Sequence, residues 1–139
     1  MMKKLLRSEE LAQFLVCLCA LVMNDVPWWA YLLLVLGPDI GMMGYLRGPR
    51  TGAFFYNILH HKGLAILVAA LSFVSEGLNM LLAAPNIAPV LFLGGIILYG
   101  HASMDRVFGY GLKFGDHFQH THLGWIGKAG RKQEESTES

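Results

Sequence analysis

The recurrence of apolar runs near the length of a bilayer crossing constrains this chain most; the last run, residues 88–108, closes on His101, Asp105 and Arg106. A helix needs roughly 20 apolar residues to cross a membrane. Of the 139 residues, 54% are hydrophobic and only 15% charged, whereas about a quarter of an average soluble domain is charged. The expected fold is all-α: a four-helix transmembrane bundle in a single domain over residues 1–127. A short cytoplasmic C-terminal segment and a disordered polar tail, residues 128–139, follow it. A net charge of +1 without a basic stripe excludes a nucleic-acid partner. Cys17 and Cys19 are two apart on an expected helix, so they neither chelate one ion together nor imply a disulfide framework.

The chain starts like a secretory signal, with Lys3, Lys4 and Arg7 before an apolar run, but Glu9 and Glu10 interrupt the junction and no small-x-small cleavage pattern follows. It reads as a retained first helix opening near Ser8, with its apolar part over residues 11–23. Asp25 and Pro27 make a turn, and Trp28 and Trp29 suit an interfacial aromatic belt. The second span covers residues 27–46 and kinks at Gly37-Pro38-Asp39, with Gly37 and Gly41 offering close approach to another helix. The third helix covers residues 53–82, its first part at the interface and Lys62 snorkelling outward. The fourth covers residues 88–108. Beyond it, Asp116 and Gln119 resemble a capping box opening a short helical turn.

Lys3, Lys4, Arg7, Arg47, Arg50, Arg106 and Lys113 fall on one side of four spans, and the opposite turns carry no Lys or Arg. The positive-inside rule puts both termini in the cytoplasm of a multi-pass inner-membrane protein.

Ionisable groups at membrane depth are functional candidates by default. Counting inward from the outer turns at about 1.5 Å per residue puts Asp39 roughly 17 Å deep and His101 roughly 20 Å. Asp105 and His61 come at roughly 27 Å and His60 at roughly 29 Å, so three helices place these groups in the cytoplasmic half. His101 and Asp105 are one helical turn apart and share a face. Imidazole and carboxylate without thiolate suit a divalent metal such as zinc or manganese. His60, His101, Asp105 and His122 are the candidate ligands. Asp39, Asn57 and Arg106 are the candidate catalytic positions, with Asn57 orienting an imidazole and Arg106, Arg47 or Arg50 steadying an anionic group. A purely structural network would use the same residues, with Asp39 pairing to Lys62 or Arg106 and His101 bonding Asn57 or a backbone carbonyl. In the segment His117, His120 and His122, solvated side chains are the default.

One composite pattern runs from Gly37-Pro38-Asp39 through Gly44-Tyr45-Leu46, Gly48-Pro49-Arg50 and Tyr56-Asn57 to His60. It resumes at His101 through Asp105-Arg106, Gly109-Tyr110-Gly111-Leu112-Lys113 and Thr121-His122-Leu123-Gly124. Together these resemble the small bacterial membrane family catalogued as domain of unknown function 4260, over most of the chain to about Gly127. The resemblance implies a four-helix inner-membrane protein, favours His60 over His61, and includes Asp39, His101, Asp105 and His122. It implies no reaction.

The sharpest expectation is a metal-dependent membrane hydrolase acting on an amphiphilic or lipid-like small molecule, with the bilayer and a second copy as partners. Whether the chain is an enzyme stays open beside three rivals. These are a small proton-coupled transporter using Asp39 and Glu76, a b-haem held by His60 or His61 opposite His101, and a non-catalytic scaffold or partner subunit.

Overall fold

The computed structural model describes residues 1–127, and the expected tail lies outside them. The described residues are mostly helical, 74% helix in six helices. In chain order these are α1 (Met2–Met23), α2 (Trp28–Leu36), a 3-10 helix (Pro38–Arg47), α3 (Pro49–Leu59), α4 (Lys62–Leu82) and α5 (Ala88–Phe108). A two-stranded antiparallel hairpin, β1 (His120–Thr121) and β2 (Gly124–Trp125), follows.

α5 is the hub, packed against α4, α1 and α2, while α3 packs on the 3-10 helix. Its bounds follow from local chemistry: Pro89 sits in the first turn, and Gly109 ends the helix at φ +92°, where a Cβ would be strained. A Cβ on Gly100 would stand 2.8 Å from Leu34 and 2.9 Å from Cys17, so glycine there lets α1 and α2 reach the α5 backbone. Leu21 and Leu34, 0% and 1% exposed, fill the small core on that side.

The other elements differ from expectation for identifiable reasons. Ser8 does not cap α1, because its hydroxyl donates back to the Leu5 carbonyl at 2.7 Å, and the helix starts six residues earlier at Met2. Asp25 does sit in a turn, as a left-handed residue at φ +53°, and α2 after it has no side-chain cap. The second run splits into α2 and the 3-10 helix, bent by 42° where Pro38 removes an N–H. Ten residues of 3-10 helix exceed the usual three or four; Gly41 and Gly44 press it onto the α3 backbone, where a Cβ would meet carbonyl oxygens at 3.0 Å. Gly37 makes no such approach, and the nearest atoms to a Cβ there belong to Leu33 of α2.

The expected single helix over residues 53–82 is two, broken at His60 and His61. His61 leaves the helical region and caps α4, its Nδ1 accepting the Leu64 N–H at 3.1 Å. Lys62 turns inward rather than snorkelling, because Glu10 and Gln13 of α1 accept its ammonium hydrogens. Asp116 and Gln119 open no helix; the Asp116 carboxylate accepts from its neighbour's N–H and from His120 Nδ1, both at 2.7 Å, and the chain turns into the hairpin.

α4 is long and apolar enough to cross a membrane, with mean hydropathy 1.8, and the bent pair of α2 and the 3-10 helix is a second candidate. Only 11% of α4's apolar window is buried inside the molecule. α1 and α5 have the length but carry charged groups and, in α5, three glycines, so composition alone gives one or two crossings, not four.

Candidate metal centre

The centre is assembled by chain breaks. Pro38 cannot offer the N–H that would bond the carbonyl of Leu34 four residues earlier. That carbonyl is taken instead by His101 Nδ1 at 2.8 Å. His60, at the end of α3, turns its Nδ1 onto the Tyr56 carbonyl, also at 2.8 Å. A carbonyl only accepts, so both rings donate from Nδ1, and each ring in its neutral form presents a lone pair on Nε2. These two nitrogens face each other at 3.0 Å.

Two carboxylates complete the group. His60 Nε2 is 3.2 Å from Asp105 Oδ2 and 3.6 Å from Asp39 Oδ1. His101 Nε2 is 3.4 Å from Asp39 Oδ1 and 3.8 Å from Asp105 Oδ1. Four acceptors from the 3-10 helix, the α3 end and α5 thus converge with their atoms within 4.8 Å of one another. His60 and His101 are 3% and 0% exposed, and Asp39 Oδ1 is buried with no hydrogen-bond partner. Such a group is costly without a cation. Metal bonds of about 2.1 Å put neighbouring ligands about 3.4 Å apart in a tetrahedron and about 3.0 Å apart in an octahedron. The His–His and His–Asp separations of 3.0–3.8 Å span those values and the four ligand atoms all lie within 4.8 Å, so the residues could hold one divalent ion.

Tyr56, not among the candidate site residues of the sequence, buttresses the centre. Its hydroxyl donates to Asp105 Oδ2 at 2.6 Å, and its ring stacks on His60 with centroids 3.7 Å apart. Partners that orient ligands typically carry a 10–100-fold effect on metal affinity. Tyr56→Phe is therefore expected to weaken metal binding by about that factor with the stack retained, measured by competition with a chromophoric chelator. Lys113, also missed, sits 4% exposed with its ammonium 4.8 Å from the Tyr56 ring centre and donating to the Phe118 carbonyl. Burial pushes this ammonium below its ordinary pKa, partly opposed by the nearby Asp105 and Asp39 charges. Two signals were present in the sequence: Tyr56 lies four residues before His60, and Pro38 four after Leu34.

Other expected roles fall elsewhere. Asn57 orients no imidazole; it bonds both the N–H and C=O of Lys113, at 2.7 and 2.8 Å, and ties the C-terminal segment to α3. Arg106 pairs with Glu10 at 3.5 Å. Its charge is thus directed to α1, away from the four converging groups. His122 supplies no atom to the centre, since its Nδ1 accepts the Leu112 N–H at 2.8 Å. Arg47 and Arg50 line a separate surface pocket with Gly115 and Asp116. Asp39 pairs with neither Lys62 nor Arg106. His61 is spent on capping α4, and the 3.0 Å between the Nε2 atoms of His60 and His101 is too short for haem, whose axial nitrogens would stand about 4 Å apart. Glu76 is exposed and lies on α4, 16 residues beyond His60, outside the group formed by Asp39, His60, His101 and Asp105.

Fold and site define a small helical protein with a largely unburied apolar helix and a two-His, two-Asp group, its histidines buried, that could hold a metal ion. The chain belongs to the family described as "Domain of unknown function (DUF4260)", which matches residues 3–126. Neither a curated protein nor a solved structure matches it.

Proposed function

We propose that this is a four-span membrane protein whose Asp39, His60, His101 and Asp105 hold one divalent ion and hydrolyse an ester or phosphoester of an amphiphilic substrate. One observation carries the reading: two Nε2 lone pairs and two carboxylates converge with both Nδ1 atoms already committed.

The spans in this reading are α1, the bent α2 and 3-10 pair, α4 and α5. α3, about 16 Å long, is too short to cross and lies at the cytoplasmic interface. Both termini face the cytoplasm, because every loop with Lys or Arg then lies on that side. Residues 1–127 form one domain, with exposed apolar residues such as Phe73 (72%), Leu81 (79%) and Val90 (73%) meeting lipid.

A bound ion supplies Lewis-acid activation of water and polarises the carbonyl or phosphoryl oxygen. The protein's own groups set the geometry. His60 and His101 are locked by the Tyr56 and Leu34 carbonyls, and Asp105 is held by the Tyr56 hydroxyl. Asp39, 35% exposed, marks the open side and is positioned to take the proton from water as the ester bond breaks to acid and alcohol. Hydrolysis of a long-chain p-nitrophenyl ester or bis-p-nitrophenyl phosphate by the detergent-purified protein tests this. Activity is expected to vanish with chelator and return with zinc or manganese. Equal activity after complete metal removal would refute the reading.

A further inference from the structure

The metal centre uses one side of α5, and another side carries a groove. It runs between α4 and α5, is lined by Ala65, Ala69, Ala70, Phe73, Phe92 and Tyr99 among others, and encloses about 300 Å³. Small side chains keep it open, and its lining is apolar except at one end. There the Tyr99 hydroxyl donates to Gln13 at 2.9 Å, and the Lys62 ammonium lies 4.7 Å from the Tyr99 ring centre. Lys62 also bonds Glu10 and Gln13, and Arg106 stands 3.5 Å from the same Glu10. Two cations therefore share one carboxylate, leaving one net positive charge at the groove's cytoplasmic end. From Ala65, one turn beyond Lys62, to Phe73 the groove follows α4 for about 12 Å into the bilayer.

We propose that this groove holds the acyl chain of an anionic phospholipid from the cytoplasmic leaflet, with the headgroup against Lys62 and Arg106. The inference rests on the membrane-spanning reading above, but not on the metal. Three features point to that occupant. In that reading the groove opens on lipid, an unbranched chain fits a channel floored by alanine and Gly95, and the excess charge lies where anionic headgroups are. A polar or zwitterionic ligand would leave the positive charge unanswered.

The test uses the full chain purified from bacterial membranes in detergent, with phosphatidylglycerol or phosphatidylcholine added and bound lipid read by native mass spectrometry. One phosphatidylglycerol per chain is expected, retained in preference to phosphatidylcholine. Ala70→Phe fills the groove and is expected to abolish retention, while Leu67→Phe, outside the lining, leaves it intact. Lys62→Met leaves Glu10 and Arg106 neutral together and is expected to reduce the preference about fivefold, the factor for one cation at an anionic surface. Equal retention of both lipids, retention by Ala70→Phe, or a dimer without lipid overturns the proposal. In those cases the chain's recovery in the membrane fraction leaves the membrane reading standing; recovery in the soluble fraction overturns both.

Discussion

His101→Ala is expected to empty the metal centre. The change removes one of four ligands and leaves the Leu34 carbonyl without its partner. A lost ligand should weaken metal affinity by more than the roughly 100-fold upper range for an orienting partner. The unpaired buried carbonyl adds an instability of about 1–3 kcal/mol, so a second variant is needed to separate binding from folding. Asp39→Asn serves, because Asp39 Oδ1 has no hydrogen-bond partner to lose and the side chain is 35% exposed. It is expected to lose metal while the metal-free protein folds as well as wild type, or better, since one of four converging acceptors no longer carries charge. Wild type should melt at higher temperature with added zinc, and neither variant should respond, because only a ligand that binds the folded state stabilises it. Acidification should likewise release metal, since both Nε2 atoms must be unprotonated to bind it. Elemental analysis and thermal shift with and without metal check these outcomes.

The second large effect separates two neighbouring glycines. A Cβ on Gly95 would lie 2.6 Å from both the Cβ and the backbone nitrogen of Ala69 and 2.7 Å from the Ala65 carbonyl oxygen, whereas a Cβ on Gly94 meets nothing within 4 Å. Backbone cannot step aside as a flexible side chain can, so Gly95→Ala must separate α4 from α5. Overpacking costs typically about 1–3 kcal/mol and at times more. Because α5 also holds His101 and Asp105, metal affinity should fall with stability. Gly94→Ala is expected to be neutral or stabilising by up to about 1 kcal/mol. Melting temperatures of the two variants in the same detergent decide the matter, and equal destabilisation would refute the α4/α5 contact.

How much was legible in the sequence varied with how local the cause was. α5 was legible to its ends because a proline opens it, a glycine closes it and an apolar run lies between. The convergence of Asp39, His60, His101 and Asp105 was readable as a shared depth, since residue count sets depth along any helix. The break at His60–His61 was not, because His, His and Lys are all compatible with a continuing helix. It is decided by the His61 side chain reaching the Leu64 N–H and by His60 turning to His101. Lys62 was misread for a related reason: its partners Glu10 and Gln13 lie 52 and 49 residues away, beyond any local pattern. The hairpin's two-residue strands are too short to show alternation. The roles of Asn57 and Arg106 depended on how the C-terminal segment and α1 dock, which spacing does not encode.

The most direct test of the account is X-ray absorption on the metal in protein purified without added chelator. The expected result is one divalent ion per chain in an all nitrogen-and-oxygen shell at about 2.0–2.2 Å, with the outer-shell scattering of two imidazoles, lost in His101→Ala. A shell containing sulfur, or a folded protein that binds no metal when zinc and manganese are supplied, would contradict it.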